Sequence, residues 1–223
     1  MEYNSGNYDK YMTRNLLKRT MVSKLNNKIL NTVRDAVKGC LVEKGADSAN
    51  TTIHILDAGC GEGFLSSFLL AELGERNVEI TGLEYTSEAI HIAREMNPDI
   101  EFIQGDVMKM PFGTDSFDIV LCTEVLEHLP DPVAALAELV RVTKHMLLIT
   151  VPNEPWFCMG NLLVLKNVRR LGNPIDHINH WTFFKFSSFL KHNSDEKWYM
   201  GKSFPWTIAR CVVNEGDNRT MQS

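Results

Sequence analysis

No apolar run in this 223-residue chain approaches the ~20 residues that span a bilayer. The opening M-E-Y-N-S-G-N lacks the apolar core of a secretory leader, so a cytoplasmic protein is expected. Cysteine is sparse and without pattern. Cys40, Cys60, Cys122, Cys158 and Cys211 are odd in number and include no C-x-x-C pair, which argues against a disulfide framework or a zinc knuckle and points to buried thiols. Internal repeats and low-complexity tracts are absent, and the length suits one domain with at most an appendage. Acidic residues are missing from one long stretch: Lys10 to Arg34 holds seven Lys and Arg and no Asp or Glu. The net charge of −5 therefore hides an asymmetry, +5 over residues 1–44 against −10 over the rest.

What is present concentrates in Ile53 to Leu70, I-H-I-L-D-A-G-C-G-E-G-F-L-S-S-F-L-L. Ile53, Ile55, Leu56 and Ala58 read as a short buried strand; Gly59, Gly61 and Gly63 remove side chains where backbone must turn or meet a ligand; Phe64, Leu65, Phe68 and Leu69 follow at helical spacing. A dinucleotide loop needs G-x-G-x-x-G with a small third residue, but from Gly59 that position is Phe64 and from Gly61 it is Ser66. The spacing instead fits D-x-G-x-G-x-G. Downstream strands are expected to end at Glu84, Asp106 and Glu124, so with Asp57 four carboxylates and no Lys or Arg would meet the ligand. Such a ring repels a pyrophosphate and favours a cationic ligand.

On these residues the chain resembles the class I S-adenosylmethionine-dependent methyltransferases. The resemblance implies a Rossmann-like α/β fold, a seven-stranded mostly parallel sheet with helices on both faces. It also implies S-adenosyl-L-methionine as cofactor, held in part by Asp57, Gly59, Cys60 and Gly61. Glu84 ends an alternating strand from Val78 and lies twenty-one residues beyond Gly63, the place of a ribose-binding carboxylate. Tyr85 is expected against adenine or ribose. Asp106 and the backbone of Val107 suit adenine, one accepting from the amino group and the other donating to a ring nitrogen. The run from Met108 to Phe112 followed by Asp115-Ser116-Phe117-Asp118 resembles the connection found in small-molecule methyltransferases.

Phe117 to Cys122 reads as a strand buried on both faces, ending in Thr123-Glu124-Val125-Leu126-Glu127-His128-Leu129. The (Asp/Asn)-Pro-Pro-aromatic tetrapeptide of enzymes that methylate base nitrogens is missing there, and nucleic acid is not expected as a partner. E-V-L-E-H-L instead resembles the ubiquinone- and menaquinone-biosynthesis-like branch, whose acceptors are small or lipid-like. His128 falls where the methyl group should emerge, either as general base or as a residue that fixes the loop. Asp131-Pro132 opens a helix over Val133 to Val142, and Met146 to Val151 is the fifth strand.

Residues 153–182 are expected to be a substrate-choosing insertion. Asp176, His177 and His180 near its end lack a clear fourth metal ligand, so no metal is expected, and His180 is a second candidate base. Thr182 to His192 reads as a helix, and Trp198 to Phe204 with Thr207 to Val213 as an antiparallel edge pair. Residues 1–50 are expected to form a helical cap of one amphipathic helix or two, the second ending near Val42, and residues 51–213 the cofactor-binding domain; 214–223 is a polar tail. Two readings of the basic helix stand: a solvated face packed on the sheet, or a lid removable through Arg34 that meets an anionic substrate or lipid headgroups. Under the second, Tyr11 and Arg14 approach the cofactor's carboxylate, as the resemblance suggests. Alternatives to small-molecule methyl transfer are a tRNA-modifying methyltransferase and a non-catalytic cofactor-binding or scaffold protein.

Overall fold

Strands that read as continuous apolar runs do so because the fold covers both their faces. In the computed structural model, which describes residues 11, 13, 15–44, 51–74, 77–154, 156 and 177–213, seven strands make one sheet. They are β1 (Ile53–Ala58), β2 (Val78–Glu84), β3 (Glu101–Gln104), β4 (Phe117–Thr123), β5 (Thr143–Pro152), β6 (Trp198–Ser203) and β7 (Trp206–Val212). Their order is β3-β2-β1-β4-β5-β7-β6, parallel throughout except for β7, which runs antiparallel to both neighbours. The chain reverses direction across the sheet between β1 and β4, where such folds open a crevice at the strands' carboxyl ends.

One face is covered by α1 (Leu16–Glu43), α2 (Phe64–Leu73) and α3 (Ser87–Met96), whose Leu25, Ile29, Leu65, Leu69 and Ile90 join Ile53, Ile55, Ile119 and Leu148 in one cluster. The other face is covered by α4 (Pro132–Val142) and α5 (Phe183–Asn193), packing Leu136, Leu139, Phe186 and Leu190 on Leu56, Val120 and Leu147. The local signals explain the boundaries. Asp131 caps α4 by accepting from the N–H groups of Val133 and Ala134, with Pro132 inside the first turn; Thr182 caps α5; and Gly74, in the left-handed region, stops α2.

Of the two readings of the basic helix, the structure favours packing on the sheet. Residues 16–43 form one continuous 28-residue helix, and its apolar stripe is core: Leu25 and Ile29 are each 1% exposed and Val33 is fully buried. Several of its basic residues are anchored on the body. Lys28 Nζ donates to the Lys202 carbonyl at 2.8 Å, and Arg34 Nη2 to the Glu72 carbonyl at 2.7 Å, in the last turn of α2. Lys44, just past the helix, pairs with buried Asp118 at 2.8 Å. A helix that supplies part of the main core fits the reading in which 16–43 packs on the sheet. The linker at 45–50, most of the insertion, the tail, Arg14, Asp176 and Cys158 lie outside the described residues. Among the described residues no helix is long and apolar enough to cross a membrane.

Removal of residues 1–34 should therefore leave a protein that does not fold cooperatively. Leu25→Ala or Ile29→Ala alone should cost about 2–5 kcal/mol, the range for truncating a buried aliphatic side chain. Chemical denaturation of the three proteins measures this, and wild-type stability in the truncated form would restore the lid.

Candidate active site

The loop after β1 and the loop after β4 meet at the reversal of strand order. Gly59 has φ 80°, and a Cβ there would lie 2.3 Å from Val125 Cγ2, so only a missing side chain lets the loops touch. The N–H groups of Gly59 and Cys60 both donate to the Leu83 carbonyl, at 2.7 and 3.0 Å, which pins the glycine loop to the end of β2. Glu84 closes the same corner: one carboxylate oxygen accepts the Gly61 N–H at 3.1 Å, and the other accepts the N–H and the hydroxyl of Thr86. The Gly105 N–H reaches the Glu84 carbonyl at 2.9 Å and brings Asp106 alongside.

Asp106 accepts the Met108 N–H at 2.8 Å, and Val107 is buried at 5% exposure. Their loop is braced from behind by a pair that sequence reasoning passed over. Glu138 accepts the Met110 N–H at 2.7 Å, and Arg141 donates to the Phe112 carbonyl at 2.8 Å. The hydrogen bond from the Arg141 guanidinium holds the Glu138 carboxyl below its usual range. Asp57 is 1% exposed and accepts the Ser66 hydroxyl at 2.6 Å, so it ties β1 to α2 beneath the loop. Burial, reinforced by the Asp57 and Glu84 carboxylates, pushes the Cys60 thiol far up and keeps it neutral. Tyr85 stands on the rim, 71% exposed, and Tyr11 stacks on Phe64 with ring centroids 4.8 Å apart.

Beyond β4 the backbone is strained at Glu124, a non-glycine residue at φ 61°. Such positions cost of order 1–3 kcal/mol and gather at functional sites. The Glu124 N–H donates to the Thr150 carbonyl at 3.0 Å, one carboxylate oxygen accepts the Trp206 indole N–H, and the other is buried with no hydrogen-bond partner among the described residues. A 3₁₀ turn, Leu126–His128, follows directly. Segment 177–180 is clamped onto it: the Glu127 carbonyl accepts the N–H groups of Ile178 and Asn179, and the Asn179 amide donates to the carbonyls of Leu126 and Leu129 at 2.9 and 2.7 Å.

The clamp assembles a constellation that the sequence did not predict. The His128 and His177 rings lie edge to face with centroids 5.0 Å apart, and ligand-capable atoms of Glu127, His128 and His177 lie within 4.8 Å of one another. Glu127 is 1% exposed. From the end of β5, Glu154 places Oε1 2.9 Å from His177 Nδ1 and 3.5 Å from His180 Nδ1. Two imidazoles and a carboxylate form a ligand set for a divalent transition metal. The sequence grouped His177 with Asp176 and His180; the fold groups it with Glu127 and His128 and leaves His180 at the edge, its side chain 46% exposed. Glu127 and Glu154 went unremarked as site residues, although Glu127 directly precedes His128 and Glu154 lies two residues past the end of β5.

Residues 56–146 match the family described as methyltransferase domain. A ubiquinone biosynthesis O-methyltransferase of Alkalilimnicola ehrlichii is 36% identical over 111 residues, 46% of this chain and 43% of that protein. A demethylmenaquinone methyltransferase of Renibacterium salmoninarum is 36% identical over 91 residues, 41% of this chain and 37% of that protein. The similarity thus spans less than half the length of either relative. The solved plantazolicin methyltransferase BpumL, in complex with a triazolic desmethylPZN analog and SAH, aligns over 93% of this chain and 94% of its own, with TM-score 0.66 and 19% identity. The [4+2]-cyclase SpnF aligns over 75% of this chain and 77% of its own, with TM-score 0.57 and 15% identity. These two share the fold, which here is the Rossmann-like class I methyltransferase fold expected from the glycine loop.

Proposed function

We propose that the chain transfers a methyl group from S-adenosylmethionine to a hydroxyl oxygen of a small, lipid-like acceptor. The observation that carries this is the loop from Asp57 to Gly63 at the reversal of strand order, with Glu84 accepting its Gly61 N–H and Asp106 one strand further on. In this reading Glu84 takes the ribose hydroxyls, while Asp106 and the Val107 N–H take the adenine edge. Tyr85 packs on the nucleoside from the rim. Tyr11, stacked on Phe64 at the mouth of the glycine loop, lies toward the amino-acid end of the cofactor. Glu124 adds a carboxylate facing the positive charge of the sulfonium and ammonium groups. The donor brings its own leaving group, so the protein's part is to align acceptor and methyl in line and to exclude water.

Glu127, His128 and His177 support a second element of the reading, a divalent cation that would lower the pKa of the acceptor hydroxyl. His128 is then a ligand rather than a base. His180, beside Glu154 and half exposed, becomes the group that accepts the proton. The names of the quinone-pathway relatives favour an O-methyl acceptor of this kind. The basic N-terminus is the one feature that favours tRNA, and it is weakened where Lys28 and Arg34 donate to carbonyls of the body and Lys44 pairs with Asp118. SpnF, on the same fold, keeps a function other than methyl transfer in view. Leu16 and Leu17, more than 70% exposed beside Arg19 at the start of α1, favour contact with an anionic lipid surface, and co-sedimentation with anionic but not zwitterionic vesicles tests that contact.

Calorimetry should show one site for S-adenosylhomocysteine and no response to NAD. Glu84→Ala should weaken that site by about 1.5–3 kcal/mol, as expected for hydrogen bonds to a charged group. Tight NAD binding, or an unchanged affinity in the variant, would refute the assignment of the nucleoside site. After stripping with a chelator, the protein should bind Mn²⁺ at a single site that His128→Ala abolishes. Absence of Mn²⁺ binding in the wild type would leave the two imidazoles to acid–base work alone.

A further inference from the structure

Glu154 stands at the point where the chain leaves the sheet for the insertion, and it is 7% exposed. Its backbone N–H donates to the Trp181 carbonyl at 2.8 Å, so its position is fixed against the segment that returns from the insertion. Its side chain meets that segment a second time, through His177 Nδ1 at 2.9 Å and His180 Nδ1 at 3.5 Å, both on the same oxygen. Of the two imidazoles His177 is both nearer and more deeply buried, its side chain 7% exposed against 46% for His180.

A carboxylate oxygen 2.9 Å from an imidazole nitrogen requires that nitrogen to carry its proton. The hydrogen bond at one ring nitrogen decides which tautomer a neutral histidine adopts. With Nδ1 donated to Glu154, the lone pair of His177 is left on Nε2, on a ring already packed edge to face against His128. Histidines that hold metals are commonly oriented in this way by an outer carboxylate, and loss of that partner lowers metal affinity or activity about 10–100-fold.

We propose that Glu154 is a positioning residue: it locks His177 in the Nδ1–H tautomer and so presents Nε2 to the site made with Glu127 and His128. The proposal rests on the functional reading only in taking that site as the place where the acceptor is handled. It adds a specific division of labour. Glu154 touches neither cofactor nor acceptor, and its effect reaches the chemistry through one imidazole.

Loss of one partner of a buried polar pair leaves the other unsatisfied and lowers stability, so the position of the ring proton, and not stability, separates this role from a purely structural one. Glu154→Leu should keep the S-adenosylhomocysteine affinity of the wild type, while Glu154→Asp, which retains the charge, should restore part of the function lost in Glu154→Leu.

The test is long-range ¹H–¹⁵N NMR of the histidine rings, recorded above the ordinary imidazole range so that the rings are neutral. The His177 signals are assigned by their loss in His177→Gln. In the wild type the proton should sit on Nδ1, and in Glu154→Leu it should move to Nε2, with Mn²⁺ affinity falling about 10–100-fold. A wild-type His177 protonated on Nε2, or a tautomer unmoved in Glu154→Leu, overturns the proposal. The tautomer readout needs no cofactor, metal or acceptor. A protein that showed the predicted tautomers but methylated nothing would therefore refute the functional reading and leave the role of Glu154 intact.

Discussion

The contact between Gly59 and Val125 sets the geometry on which the site depends. Two loops from strands separated by the reversal of chain order must touch, and they do so because one supplies no side chain. From that contact the chain runs one way through Cys60 and Gly61 to the Glu84 carboxylate, and the other way through Leu126 and Glu127 to His128. The corner at Glu84 and the cluster at Glu127 and His128 are thus both hung from one close approach, of the Gly59 backbone to the Val125 side chain. A side chain at residue 59 would push apart two half-sites at once, over and above the strain of a left-handed φ.

Charge in this protein is spent mostly on joining elements. Arg34 donates to a last-turn carbonyl of α2, where a cation also complements the helix dipole, and Lys44 neutralises the buried Asp118, which itself accepts the His54 N–H at the start of β1. Arg141 and Glu138 do the same beneath the loop that carries Asp106 and Val107. Each pair links a helix or its end to a segment distant in sequence, so the basic excess at the front of the chain is in large part a set of tethers. The carboxylates at the carboxyl ends of β1, β2 and β4 have different partners. Glu84 accepts from backbone N–H groups and a hydroxyl, Glu124 from an indole N–H, and Asp57 from a hydroxyl. A carboxylate at each of these strand ends suits a cationic ligand in the crevice.

What could be read from the sequence was what is local. The glycine loop, the strand-end acids, the cap at Asp131 and the helix after Thr182 all announce themselves within a few residues, and the fold puts each where its own chemistry requires. The N-terminal helix stayed open between two readings because an amphipathic basic pattern is the same for a lid and for a core helix. Only the depth to which Leu25 and Ile29 sink distinguishes the two, and depth is a tertiary property. The acceptor side was illegible for a related reason. His177 is nearly fifty residues from His128 and joins it through the Ile178 and Asn179 N–H groups on the Glu127 carbonyl, backbone bonds that no side-chain pattern encodes.

That difference in legibility follows from how the two regions are assembled. The glycine loop and the acids at the ends of β2 and β4 lie within a few residues of the strands that place them. The cluster of Glu127, His128 and His177 joins segments far apart in the chain, and many arrangements of imidazole and carboxylate would serve there. Here the arrangement hangs on Glu127, whose carbonyl holds segment 177–180 while its buried side chain shares a site with His128 and His177. Because one residue both fixes the returning segment and joins the site, a shift of that segment would move His177 relative to His128. Alignment of acceptor and methyl donor tolerates little error, since displacements of about 1 Å can cost 10²-fold in rate. Placement of segment 177–180 and placement of His177 against His128 are therefore a single structural variable in this fold.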